Sequence, residues 1–210
     1  MDSAILSQWN SLERWTPTLF LIGGSLLLGH AAMLGVRAVS ELTVPPDPFG
    51  PAGHLVALVG LLGLYPALVD RKPAMVPAAG IAAGVALVSW GVMSITRLLA
   101  VVGIVPSVSD LLPGVFFVLL FASTVFTYVL FSVAAGRTDD IPWTVGLLIL
   151  APAVLLVVVL VDSAVTGVSD LEGVVIGTGL ALSMLALGYS LRTRDAASDQ
   201  PELIGDLTAG

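Results

Sequence analysis

Long apolar stretches separated by short polar segments make up most of this 210-residue chain. Six of them are long enough to cross a hydrocarbon core as helices, which takes about 20 residues at a rise of about 1.5 Å each. Their approximate limits are Pro17–Ala38, Gly50–Val69, Ala74–Thr96, Leu111–Ala135, Ile141–Val161 and Gly173–Leu191. The pattern predicts an all-α polytopic membrane bundle of six transmembrane helices.

The polar ends of the chain predict two further segments around that bundle, which covers residues 17–191. In residues 1–16, Ile5, Leu6, Trp9 and Leu12 fall on one helical face, as in an amphipathic helix lying at the membrane interface. Thr16-Pro17 then reads as the N-cap and first residue of the first span. Residues 192–210 are polar and acidic and predict a disordered cytoplasmic tail.

The eight Lys and Arg residues predict the orientation. If the six spans alternate in direction, six basic residues share the side of the N-terminus, namely Arg14, Arg71, Lys72, Arg137, Arg192 and Arg194. Only Arg37 and Arg97 fall towards the other side. Because cytoplasmic loops carry the excess of Lys and Arg, we expect both termini to be cytoplasmic, in a protein of the cell membrane.

Composition supports the membrane class and adds a resemblance. The chain is 57% hydrophobic and 11% charged, against about 25% charged in soluble domains. Its net charge is −7, Lys72 is its single lysine, and Ala, Val, Gly and Leu dominate. This composition, without any motif, resembles that of small multi-pass membrane proteins of halophilic archaea.

Several local signals predict how the helices begin, bend and end. Pro66 and Pro152 each remove a backbone hydrogen bond and should bend spans 2 and 5. Ser169 and Glu172 have the spacing of a capping box before span 6. Apolar character continues past Arg97 to Val105, so span 3 either runs long and tilted or stops and re-enters as a loop.

Small residues one turn apart predict close helix packing. The pairs are Gly80 with Gly84 in span 3 and Gly173 with Gly177 in span 6. In lipid, helices associate through close van der Waals approach, which small faces permit. We favour packing within the bundle over a homodimer face.

Polar groups within the spans gather in the half away from the termini. His30 lies inside span 1 with Arg37 two turns later on the same face, His54 begins span 2, and Arg97 ends span 3. The carboxylates expected near them are those of Glu41, Asp47, Asp110, Asp162, Asp170 and Glu172. If spans 1–3 pack together, these groups form a polar cluster facing the exterior. Alternatively, Arg37 and Arg97 extend to the interface as anchors and His30 bonds a neighbouring helix.

Catalytic motifs are missing from the sequence. The chain has no cysteine and two histidines, which excludes thiolate sites and a three-histidine zinc site, and no His-Glu-x-x-His occurs. Ser123 has no later histidine with which to form the dyad of a six-helix serine protease, because none follows His54. We expect a protein that is not an enzyme and binds no metal or cofactor.

Three functions remain open. The first is a non-catalytic structural or accessory subunit, whose partners are the lipid bilayer and another membrane protein, with no nucleic acid. The second is a transporter or sensor of a small solute or ion that enters at the outer polar cluster. The third is a b-type haem carrier with His30 and His54 as axial ligands.

Overall fold

The computed structural model describes residues 3–40, 47–69, 71–72, 74–105, 108–138, 141–165 and 169–198. Within these ranges the chain is helical and contains no strand, which confirms the all-α prediction. The helices are α1 (Ser3–Val39), α2 (Phe49–Leu62), α3 (Tyr65–Val69), α4 (Met75–Val101), α5 (Val108–Leu111), α6 (Gly114–Gly136), α7 (Trp143–Val165) and α8 (Asp170–Ser198). Five of them, α1, α4, α6, α7 and α8, are long and apolar enough to cross a membrane.

The second predicted span is divided between α2 and α3 by a turn at Gly63 and Leu64. Pro66 explains the break, because it has no N–H to donate to the carbonyl of Leu62 four residues earlier. The helix therefore ends at Leu62, and α2 is a shorter apolar helix of 14 residues.

Both ends of the bundle differ from the sequence-based limits. The expected helix start at Thr16-Pro17 is wrong, since α1 runs through Pro17 without a cap. The Thr16 hydroxyl donates instead to the Leu12 carbonyl within the same helix. At the other end α8 continues to Ser198, so residues 192–198 are helical where a disordered tail was expected. Residues 199–210 lie outside the described ranges.

Two predicted helix termini are resolved by the structure. The capping box at the start of α8 is present, since Ser169 N donates to Glu172 Oε2 at 2.8 Å and Glu172 N donates to Ser169 Oγ at 3.2 Å. The third span runs long, as α4 continues past Arg97 to Val101. It is followed by a turn in which Gly103 has a φ of 75°, a backbone region open mainly to glycine.

Six helices pack in a ring in which α1 contacts α2, α2 contacts α4, α4 contacts α6, α6 contacts α7, α7 contacts α8, and α8 returns to α1. Neighbours are antiparallel: Gly24 of α1 lies against Leu185 of α8, and Gly35 lies against Val174. The ring thus has one end near the chain termini, which we call the proximal end. The opposite end holds the α1–α2, α4–α6 and α7–α8 connections and is called the distal end.

The core lies inside this ring, and the outward faces are apolar as well. Fully buried core side chains come from several of the helices, among them Phe20, Leu58, Tyr128, Ile149 and Met184. On the outside, large apolar side chains recur at helical spacing, as with Ile81, Val88 and Ile95 of α4, which are 61–72% exposed. A helix that is apolar all round is expected for contact with lipid.

Candidate functional site

A cavity of about 370 Å³ opens at the distal end of the ring, and all six ring helices contribute to it. Its polar lining comes from the side chains of His30, His54 and Arg97. Most of the remaining wall is apolar, including Leu34, Phe117, Phe121, Leu156, Val159 and Ile176. Its size and its few polar groups in an apolar wall are those of small-molecule sites, which measure about 300–1,000 Å³. We call it the distal cavity.

His30 is held at the cavity wall by Asp47. Its Nδ1 pairs with Asp47 Oδ2, and the other carboxylate oxygen accepts the N–H of Phe49 at 2.8 Å, at the first turn of α2. Burial alone would raise the pKa of the Asp47 carboxyl. Hydrogen bonds from His30 and from the backbone N–H groups of Phe49 and Gly50 outweigh it and lower the pKa below the ordinary value. The pair joins α1 to α2.

Gly50 makes this arrangement sterically possible. A Cβ at that position would lie 3.0 Å from His30 Nδ1, so the imidazole rests directly on the α2 backbone. A larger residue at position 50 would displace the ring from Asp47.

His54 lies one turn further along α2 and stacks on Trp90 of α4. The ring centroids are 4.2 Å apart with an interplanar angle of 19°. Trp90 is itself held by α6, because its Nε1 donates to Thr124 Oγ1 at 2.9 Å and its ring meets the edge of Phe121. His54 is only 5% exposed, and its Nδ1 has no hydrogen-bond partner among the described residues.

Arg97 brings a positive charge to the cavity. It is half-buried near the end of α4 and interacts electrostatically with Asp47 and Arg37. Its Nε is buried and has no hydrogen-bond partner in the described part of the chain. Within the same part the one ion pair of Asp47 is with His30.

Of the ten polar residues predicted to form the cluster, the structure places His30, His54 and Arg97 in the lining of the distal cavity and Asp47 against His30. Arg37 is exposed at the last turn of α1. Asp162 lies near the end of α7, close to Glu172 of α8, and is not among the residues that line the cavity. Glu41 and the side chain of Asp110 lie outside what the structure describes.

The four predicted packing glycines differ in their surroundings. Gly173 and Gly177 line the distal cavity and lie against α1, where an added Cβ would be 3.0 Å from Leu34 and 3.3 Å from Ala31. A Cβ added to Gly80 would lie 3.1 Å from the ring of Tyr65, whereas a Cβ added to Gly84 would have no atom of another residue within 4 Å.

Sequence reasoning did not predict the two pairings that hold the histidines, His30 with Asp47 and His54 with Trp90. Asp47 stood out only as one of several carboxylates expected at this end, and Trp90 as one apolar residue in a span. Their partners are 17 and 36 positions away in the chain, so neither pairing is visible in local spacing. The signal available in the sequence was the set of prolines around Asp47, at positions 45, 46 and 48, because proline restricts the backbone.

A second, smaller cavity of about 250 Å³ lies at the proximal end. Its polar lining includes Glu13, Thr16, Arg71, Thr138 and Arg194. Packed core residues lie between the two cavities, as shown by the buried position of Tyr128, midway along α6.

Comparison of the chain with known protein families, with curated proteins and with solved structures finds no match. Function therefore has to be argued from the site. No group of three or more His, Asp or Glu side chains that could hold a metal ion occurs in the described ranges. The distal cavity combines a guanidinium, imidazole groups and an apolar wall, and these groups are suited to binding a small molecule.

Proposed function

We propose that this chain is a cell-membrane protein of six spans that binds a small solute in the distal cavity and serves its transport or sensing. The observation that carries the proposal is that all six ring helices meet around one cavity whose apolar wall is interrupted by the side chains of Arg97, His30 and His54. A few polar side chains converging in a mostly apolar pocket are typical of sites for small molecules.

The crossing of the α2–α3 segment is part of this proposal. Contacts of the segment with α1 run from Gly50 beside His30 to Tyr65 stacked on Trp9. The 21 residues of α1 between these contacts span about 31 Å, close to the thickness of a hydrocarbon core. This length supports six crossings, with both termini in the cytoplasm by the bias of basic residues. The distal cavity then faces the exterior.

A non-catalytic structural or accessory subunit is the second candidate. The packed layer around Phe20, Leu58 and Tyr128 between the two cavities favours it, since a static subunit needs a solid core. Catalysis is no part of either proposal, because the distal cavity offers binding groups without a paired nucleophile and base.

Haem binding by His30 and His54 fits the structure poorly. Both histidines line the cavity, but α1 and α2 touch between them, where a Cβ on Gly53 would lie 2.8 Å from Leu27. A macrocycle held between two axial ligands needs an open slot there. Absence of a Soret band from the purified protein would remove this reading.

Thiol labelling tests the proposed solute site, and the absence of native cysteines makes the assay clean. A small membrane-impermeant thiosulfonate should modify Leu34→Cys and Val159→Cys, which line the distal cavity. Leu58→Cys, fully buried in the core, is the matched control and should stay unmodified. If the cavity positions are as unreactive as the control, the site does not admit solutes and the structural role is favoured.

A further inference from the structure

The charge within the distal cavity bears on what it can hold. Arg97 presents five N–H donors and stays protonated at any accessible pH. Asp47, which interacts electrostatically with Arg97, is engaged through Oδ2 by His30 and through Oδ1 by the backbone of Phe49. Among the described residues Arg97 therefore has no ion-paired carboxylate. An anion in the cavity would supply the missing negative charge.

A planar carboxylate is an anion whose shape matches a guanidinium. Two parallel N–H···O bonds join the two groups, and such charge-assisted pairs are about twice as strong as neutral hydrogen bonds. His54 adds a second polar side chain to the same lining, and this side chain is 95% enclosed by the protein. As a neutral imidazole it can donate to a carboxylate oxygen or accept from a hydroxyl.

Because the rest of the cavity wall is apolar, the remainder of the ligand should be apolar as well. Trp90 and Phe121 form one aromatic side of the cavity, with Trp90 held in place by Thr124. Aliphatic side chains from α1, α7 and α8 form most of the remainder. A volume of about 370 Å³ equals that of roughly twelve waters at about 30 Å³ each, which limits the ligand to about a dozen non-hydrogen atoms.

We infer that the distal cavity binds a small hydrophobic monocarboxylate, with the carboxylate on Arg97 and His54 and the apolar body against Trp90 and Phe121. The inference rests on the proposed function and names its class of ligand. Such an acid has two sources, a water-soluble aromatic or short-chain acid from the exterior and a fatty acid from the bilayer. The site chemistry is common to both.

Calorimetric titration of the purified full-length protein in detergent tests the ligand class with three compounds of one shape. They are 3-phenylpropionate, the neutral 3-phenyl-1-propanol and the cationic 3-phenylpropylamine. We expect the acid to bind at least about tenfold more tightly than the alcohol, and the amine to bind weakest. An acid no tighter than the alcohol, or a preference for the amine, would overturn the inference without requiring any variant to fold.

Two arginine variants locate the carboxylate. Arg97→Gln should weaken binding of 3-phenylpropionate at least about tenfold and leave the weak binding of the alcohol unchanged. Arg37→Gln is the matched control, since Arg37 is exposed and outside the cavity lining, and it should bind within about twofold of the wild type. Wild-type affinity in Arg97→Gln would place the acid elsewhere and contradict the assignment.

Titration with hexadecanoate distinguishes a water-soluble acid from a fatty acid of the bilayer. Its chain exceeds the cavity, so an enclosed site should bind it more weakly than 3-phenylpropionate. Tighter binding of hexadecanoate, with the same loss in Arg97→Gln, supports the carboxylate class and assigns the ligand to the bilayer through a gap between helices.

Thiol labelling of the cavity without binding of any of these acids would overturn the ligand class and leave the solute site standing. Failure of both would remove the proposed function as well.

Discussion

At the scale of single residues, the pairing of His30 with Asp47 anchors the distal end of α1 to α2. The Asp47 carboxylate is 7% exposed and accepts hydrogen bonds from an imidazole and from a helix N-terminus. Anions are favoured at a helix N-terminus, so the same group caps α2 and orients His30. Loss of the negative charge would release both contacts at once.

This pair makes stability depend on pH in a defined direction. Because the pKa of Asp47 is lowered in the folded protein, its contribution is complete above the unfolded pKa of about 3.9 and disappears as the pH falls through the folded pKa. Asp47→Asn should therefore lower the free energy of unfolding by about 1.5–3 kcal/mol near neutral pH, the usual size for a hydrogen bond to a charged group. The difference from wild type should shrink towards zero at acidic pH.

Denaturation in detergent, followed by circular dichroism between about pH 5 and about pH 2, measures this difference. Asp170→Asn serves as the comparison, since Asp170 is also at a helix N-terminus but is exposed, so its loss should cost less, about 0.3–1 kcal/mol. If the free energies of unfolding of wild type and Asp47→Asn differ by the same amount at every pH, the charge of Asp47 contributes nothing to stability.

At the scale of helices, close approach is concentrated where α1 meets α8 and α2. A Cβ on Gly24 would lie 2.8 Å from Leu185 Cγ and 3.0 Å from backbone atoms of α8. A Cβ on Gly23 would lie 3.0 Å from backbone atoms of α2. α1 therefore carries glycines on two faces, one for each neighbour in the ring.

Two alanine substitutions distinguish the effect of helix packing on stability from the effect of helix propensity. Gly24→Ala should destabilise the protein by about 1–3 kcal/mol, because α8 would have to move away. Gly84→Ala should be neutral or stabilising by up to about 1 kcal/mol, since position 84 is open and alanine is the better helix former. Unfolding in mixed detergent gives both values, and equal effects at the two sites would contradict this view of the α1–α8 contact.

The elements themselves were largely predictable from sequence, for physical reasons that also explain the errors. Hydropathy located all five long helices because each must remain apolar over its whole length. It could not show that α1 continues through Pro17, since a proline inside a long helix gives the same local sequence signal as a proline at a helix start. It likewise did not separate Arg37 from Arg97: both end a span, but only Arg97 turns towards the cavity, and that depends on the neighbouring helices.

At the scale of the whole molecule, the number of crossings determines which connections share a side. Six crossings place Ser40 and Ser169 outside and Lys72 and Arg137 in the cytoplasm. Five crossings, with the α2–α3 segment returning to the side it came from, would place Lys72 with Ser40 and put Ser169 on the opposite side. The two arrangements thus differ at single positions.

Single-cysteine variants at these positions distinguish them in the cysteine-free chain. In intact spheroplasts an impermeant maleimide should label Ser40→Cys and Ser169→Cys, and should label Lys72→Cys and Arg137→Cys only after the membrane is opened. Labelling of Lys72→Cys before permeabilisation would exclude the sixth crossing and the cytoplasmic position of both termini.

The antiparallel seam between α1 and α8, the most extensive contact between helices in the molecule, has a consequence for biosynthesis. Of the six ring helices, α1 is synthesised first and α8 last, and these two must meet, so the ring stays open until α8 has been made. Because α8 supplies Gly173, Ile176 and Gly177 to the cavity wall, the binding site does not exist in the nascent chain. A product that lacks α8 would leave Gly24 and the rest of this face of α1 in contact with lipid.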